Sequence, residues 1–178
     1  MSMMIQSIFH NKSCLVFGCG NPLFGDDGFG PEVINYLEST VELPSHVACV
    51  DVGTSIRDIL FNLLLDTNLP QTLIIVDAVE VNGRRPGEIF EIRVDDIAPA
   101  KISDFSLHQF PTTNMLKEIS EETPIDVRVL VVQTGGLPSC VEPGLSKQVQ
   151  AAVPRMAEKI LNLIAEDTRL TFSGGFHD

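Results

Sequence analysis

Two carboxylates and one imidazole, Asp27, Asp77 and His108, are the residues of this sequence whose types suit metal chemistry. One ring nitrogen with two carboxylate oxygens is a reasonable donor set for zinc, nickel or another first-row divalent cation. Each residue also has a plainer reading. Asp27 lies in Gly25-Asp26-Asp27-Gly28, which is an ordinary turn sequence; Asp77 could cap a helix or tie down a loop; His108 could be a hydrogen-bonded structural histidine. A carboxylate directly behind Leu73-Ile74-Ile75-Val76 nevertheless asks for a reason. His46 lies in a polar turn, and His10 and His177 near the termini, so these are weaker ligand candidates.

Convergence of groups so distant in sequence requires strands that deliver them to one edge. Short apolar runs bounded by Gly, Pro and Asp alternate with segments of helical period, the pattern of strands joined by crossover helices in an α/β domain. Strands are expected at Cys14 to Phe17, Val47 to Val52, Leu73 to Val76, Ile89 to Val94 and Val127 to Val132. The wholly apolar third run suits a strand covered on both faces, whereas alternation of Phe90, Ile92 and Val94 with Glu91 and Arg93 suits an edge strand, running antiparallel. Helices are expected from Pro31, from a capping box at Ser55 and Asp58 to about Pro70, around Thr113 to Ile119, and from Ser146 to about Glu166. In such a sheet, ligands bind where loops leave the C-terminal strand ends. Asp27 and Asp77 fall in such loops, and His108 in the segment leading to the third helix.

The 178 residues suit one domain, 1–178, with mobile ends at about 1–11 and 168–178. Asp and Glu number 24 against 12 Lys and Arg, a formal charge of -12, so the attraction that drives binding to nucleic acid or an anionic membrane is missing. Cys14, Cys19, Cys49 and Cys140 form no Cys-x-x-Cys pair and read as reduced thiols of a cytoplasmic protein. No apolar run approaches the ~20 residues of a membrane helix, and Met1 to Asn11 lacks the pattern of an export signal.

The glycine-rich stretch from Gly18 to Gly30 invites a dinucleotide reading, but a fingerprint of that kind opens a helix at once. Here the third glycine is displaced, and Pro22 with two aspartates stands where a phosphate would lie. A tight turn explains Gly18 and Gly20 nearly as well.

Taken together, the motifs resemble the hydrogenase maturation endopeptidases. They are Gly18-x-Gly20-Asn21 with Asp26-Asp27-Gly28-x-Gly30; Asp51-x-Gly53-Thr54; Ile74-Ile75-Val76-Asp77-Ala78; Pro86-Gly87; Ser106-x-His108-Gln109; and Glu142-Pro143-Gly144-Leu145-Ser146. The stretch from Gly20 to Pro31 looks closest to members serving deazaflavin-reducing hydrogenases of methanogenic archaea. The resemblance implies a three-layer α/β sandwich of the phosphorylase/hydrolase-like kind, with a twisted, mostly parallel five-stranded sheet between helices. It also implies an endopeptidase that removes the C-terminal extension of a nickel-iron hydrogenase large-subunit precursor once nickel is in place. Asp27, Asp77 and His108 are then the metal contacts and the catalytic set, meeting nickel carried by the substrate or another divalent cation able to replace it.

On that reading Asp27 or Asp77 activates a water as general base, while the metal or His108 steadies charge on the carbonyl oxygen. Asp51-Val52-Gly53-Thr54 and Gln109 support or position. Cys19 occupies the right loop for a nucleophile, but no histidine can be assigned to activate it. Two other classes compete: a non-enzymatic nickel sensor or chaperone for the immature subunit, and a nucleotide-binding domain.

Overall fold

The structure, a computed structural model, describes residues 9, 11–94 and 110–173. Strands β1 (Cys14–Cys19), β2 (Val47–Gly53), β3 (Thr72–Val79), β4 (Ile89–Ile92) and β5 (Asp126–Gln133) form one sheet in the order β2-β1-β3-β5-β4. Neighbouring strands are parallel except for β4, which runs antiparallel along β5 at the edge. The helices are α1 (Phe29–Thr40), α2 (Ile56–Leu64), α3 (Phe110–Glu122), α4 (Lys147–Gln150) and α5 (Val153–Ser173).

Successive side chains on a strand point to opposite faces, and here both faces are covered. Val16, Ile74, Val76, Leu130 and Val132 pack against α1 and α5 through Val33, Ile34, Leu37, Met156 and Ile160. Their neighbours Leu15, Phe17, Leu73, Ile75, Val129 and Val131 pack against α2 and α3 through Ile59, Leu60, Leu63, Leu116 and Ile119. Each such side chain, taken fully out of water, contributes about 1.5–3 kcal/mol against the entropy of ordering the chain. The apolar runs of β1, of β3 and of β5 from Val129 to Val132 are unbroken because neither face meets solvent there, and this gives the expected three-layer sandwich.

Several boundaries differ from expectation. Strand β1 continues through Gly18 and Cys19, residues expected in the loop, and β3 continues to Val79, so Asp77 lies inside its strand. The ladder with β5, which pairs Asp77 with Val131, carries β3 past the end of its apolar run. A 3-10 turn at Gly25–Gly28 leads directly into α1, which therefore starts at Phe29 and places Pro31 inside the first turn, where no backbone N–H is needed. Ser55 is the N-cap of α2 but makes no side-chain capping bond, and the helix ends at Leu64 in a turn whose Leu65 and Asp66 N–H groups bond Asn62 and Leu63 carbonyls. The expected single closing helix is two, α4 and α5, because Pro154 fits a first helical turn and not a helix interior. Helix α5 runs to Ser173, so part of the expected tail is helical; residues 1–8, 10 and 174–178 lie outside the described residues.

Candidate functional site

Strand β1 leads toward β2 on one side, while β3 leads toward β5 and β4 on the other. The strand order thus reverses between β1 and β3, the place where open α/β sheets form a ligand crevice at their C-terminal edge. There Gly18 pairs with Asp51 on one side and Val76 on the other, and an irregularity after Gly18 sets Cys19 opposite Gly53. Cys19, Asp51 and Asp77 are delivered to this edge by backbone pairing alone.

Asp27 arrives from the 3-10 turn and is almost wholly buried. Its Oδ2 accepts the Asn21 N–H at 2.9 Å, while the Gly20 N–H donates to the Gly53 carbonyl at 3.1 Å and anchors the loop on β2. Gly20 has φ 121°, and a Cβ there would lie 1.8 Å from the Asp27 carbonyl oxygen, so the motif Gly20-Asn21 folds tightly over Asp27. Gly18 and Gly30 serve another purpose: a Cβ on Gly18 would fall 2.5 Å from the Gly30 carbonyl oxygen. These glycines let α1 approach β1, and with buried Asp26 and Asp27 beside them the dinucleotide reading has no phosphate cradle to stand on.

The two adjacent aspartates divide their work. Asp26 Oδ1 accepts the Ser146 N–H at 2.7 Å and Oδ2 accepts the Ser146 hydroxyl at 3.0 Å, which clamps the turn to the start of α4. Asp27 instead turns under Gly20-Asn21, near Asp77. Asp77 Oδ1 accepts the Ala78 N–H at 2.7 Å. Burial pushes the Asp77 carboxyl up to about 8; the Ala78 bond opposes this and the negative charge of Asp27 adds to it. Asp27 and Asp77 are therefore within electrostatic reach of each other in a dry site.

Cys19 occupies the same place. Burial, then the charges of Asp77, Asp51 and Asp27, push its thiol well above the usual range. A thiol so surrounded holds its proton and is a poor nucleophile, a physical reason for the exclusion made from sequence. Asp51 stands exposed at the rim, its Oδ1 accepting the Gly53 N–H at 2.9 Å. His108 and Gln109 lie outside the described residues, as does Ser106. Among the described residues no group of at least three His, Cys, Asp or Glu side chains is disposed to hold a metal ion. Asp27 and Asp77 are both almost wholly buried, two carboxyls near each other at the end of the sheet.

Sequence reasoning singled out Glu142 to Ser146 but missed the start of the loop after β5. Thr134, whose N–H bonds the Val79 carbonyl, and Gly135-Gly136 follow the strand, and the chain returns at Glu142 to form a parallel bridge with Phe24. The polar end Gln133-Thr134 of an otherwise apolar strand, followed by two glycines, was the available signal. Pro86-Gly87 proves to be scaffolding: the Gly87 N–H donates to the Gln133 carbonyl and its own carbonyl accepts from Arg155 at 2.7 Å. Cys14, Cys19, Cys49 and Cys140 are outside any disulfide, and no helix among the described residues is long and apolar enough to cross a membrane.

Residues 31–163 match the family described as hydrogenase maturation protease. The chain is 38% identical over 159 residues to the coenzyme F420 hydrogenase subunit delta of Methanothermobacter thermautotrophicus, covering 87% of this chain and 96% of that one. It is 28% identical over 154 residues to the hydrogenase 2 maturation protease of Escherichia coli, covering 85% and 90% respectively. Among solved structures it resembles the hydrogenase maturating endopeptidase HybD of E. coli with a TM-score of 0.66 and 27% identity, over 86% of this chain and 93% of the other.

Proposed function

This chain belongs to the hydrogenase maturation protease family, and from that premise we propose that it cuts the C-terminal extension from a nickel-iron hydrogenase large-subunit precursor after that subunit has received nickel. Its likeness to a subunit of a methanogen's coenzyme F420 hydrogenase supports the deazaflavin-reducing subgroup. The observation that carries the reading is the buried carboxylate pair, Asp27 and Asp77, held at the strand-end crevice by β3 and the folded-over Gly20-Asn21 loop.

Asp27, Asp77 and His108 meet the nickel carried by the precursor, and only a loaded precursor then presents its scissile bond in register. Asp77 holds a proton near neutrality in the free protein, since burial and the charge of Asp27 push it to about 8. Nickel binding releases that proton, after which Asp27 or Asp77 takes one from a water whose oxygen attacks the scissile carbonyl carbon and hands it to the leaving nitrogen. His108 steadies the carbonyl oxygen. Asp51 and Gln109 position the substrate, and the reaction takes place in the cytoplasm, where thiols such as the exposed Cys140 stay reduced.

Incubation with nickel-loaded and nickel-free precursor, followed by mass spectrometry of the intact large subunit, tests this directly. The expected outcome is a shortened product from the loaded precursor alone. Stable binding with no cut would replace the peptidase by a nickel sensor or chaperone, and equal cutting of both precursors would remove nickel from recognition.

A further inference from the structure

An open cleft of about 660 Å³ adjoins the carboxylate pair and takes no part in the chemistry above. Its floor is Gly25-Asp26, directly before Asp27, and its walls come from the loop after β5, between Gly135 and Ser146. A substrate chain held at Asp27 has to continue over the surface on both sides of its scissile bond. The cleft begins at that point, and its volume is that of an ordinary ligand-binding site.

Its walls are already tied in place. The Gly25 N–H donates to the Glu142 carbonyl at 2.8 Å, and the Glu142 N–H donates to the Leu23 carbonyl at 2.9 Å. The Asp26 carboxylate holds Ser146 at the far end. Little ordering is left for a ligand to impose, which favours binding of a flexible segment.

The lining specifies that segment. Around Gly136 and Gly144 the wall is bare backbone, since even a Cβ would meet nothing within 4 Å, and an extended peptide can approach closely. Leu137 lines the cleft with 38% exposure, and Leu23 and Val141, with 49% and 62%, flank its lining in sequence; they are three of the six large hydrophobics exposed among the described residues. An exposed apolar side chain in a cleft beside the carboxylates suits contact with a partner. The charged residues of the lining are both acidic: Asp26, engaged by Ser146, and the exposed Glu142. With a chain charge of -12, the cleft repels an acidic segment and attracts a basic one.

We infer that this cleft docks the C-terminal extension of the precursor as an extended peptide, with an apolar side chain against Leu137 and a lysine or arginine against Glu142. The inference rests on the peptidase reading and adds to it a substrate-positioning surface separate from the carboxylates. It makes the extension a recognition element in its own right.

The probe is a fluorescein-labelled synthetic peptide with the sequence of the precursor's extension, titrated against wild type, Glu142→Lys and Leu137→Asp by anisotropy. Both side chains are solvent-exposed, and circular dichroism confirms that each variant is folded. Glu142→Lys weakens the peptide by about fivefold, the scale of one exposed charge pair, and a Glu-for-Lys exchange in the peptide restores binding. With nickel-loaded precursor, both variants raise KM while kcat stays within about twofold, because the contacts lie away from the reacting bond. Failure of the peptide to bind wild type, or equal binding by all three proteins, overturns the groove even where wild type still cuts precursor. Peptide binding that Glu142→Lys weakens, in a protein that cuts nothing, refutes the peptidase and leaves the groove standing.

Discussion

Replacing Asp77 by Asn tests the electrostatics of the site without disturbing its shape, since the amide oxygen can still accept the Ala78 N–H. In the folded chain the Asp77 carboxyl is pushed from 3.8 to about 8, chiefly by burial. The unfolded chain ionises this group above its ordinary value, while the folded chain keeps it protonated until the pH reaches about 8. Between these limits the folded state binds the extra proton. Stability contributed by this group is therefore fully present below the ordinary carboxylate value and is lost as pH rises through the folded one. The slope is about 1.4 kcal/mol per pH unit, so wild type loses roughly 3 kcal/mol between pH 5 and 7 that Asp77→Asn keeps. Urea unfolding of both proteins across that range, with a chelator present to exclude metal, measures the difference directly and cancels the groups they share. Asp77→Asn should gain on wild type steadily as pH rises. Parallel stability curves would mean that Asp77 is ionised in the free protein, and the proton-holding role given to it would fall.

Gly20→Ala forces a Cβ 1.8 Å from the Asp27 carbonyl oxygen at φ 121°; a loss of about 3 kcal/mol in denaturant melts is expected, with processing down about a hundredfold as Asp27 is displaced. Asp26→Ala removes both bonds to Ser146 and should cost about 2–3 kcal/mol of stability, whereas Asp27→Ala should abolish precursor processing while the folded circular-dichroism spectrum persists. If Asp26→Ala were the inactive variant and Asp27→Ala the active one, the assignment of the two would be reversed. Iodoacetamide at pH 8 should label exposed Cys140 and spare Cys19 in the folded protein, and Cys19→Ala should still process precursor; mass spectrometry of peptides reads the first and of the large subunit the second. His108→Ala should process no precursor, and normal processing would remove His108 from the site.

The layers, the sheet and the edge character of β4 were legible in the sequence because hydrophobic periodicity is a local property. Runs such as Leu73 to Val76 have no polar face to turn outward, and Phe90 and Ile92 alternate with charged neighbours. The motifs that placed the chain in its family were legible for the same reason, since Gly20-Asn21 and Asp27 are neighbours before folding as well as after. Tertiary structure alone decided which of two adjacent aspartates lies near Asp77: Asp26 turns to a serine far along the chain, and Asp27 turns under Gly20. It also decided that Asp77 lies within its strand, where the ladder with β5 outlasts the apolar run, and that Cys19 is buried near three carboxylates, burial first and their charges second raising its thiol. Glu142 to Ser146 stood out as a motif, but its place with Gly135 to Pro138 as a cleft wall was not legible, for a related reason. Its partner, the turn after β1, is distant in sequence, and charge, burial and proton affinity depend on what the folded chain brings near, which no local pattern encodes.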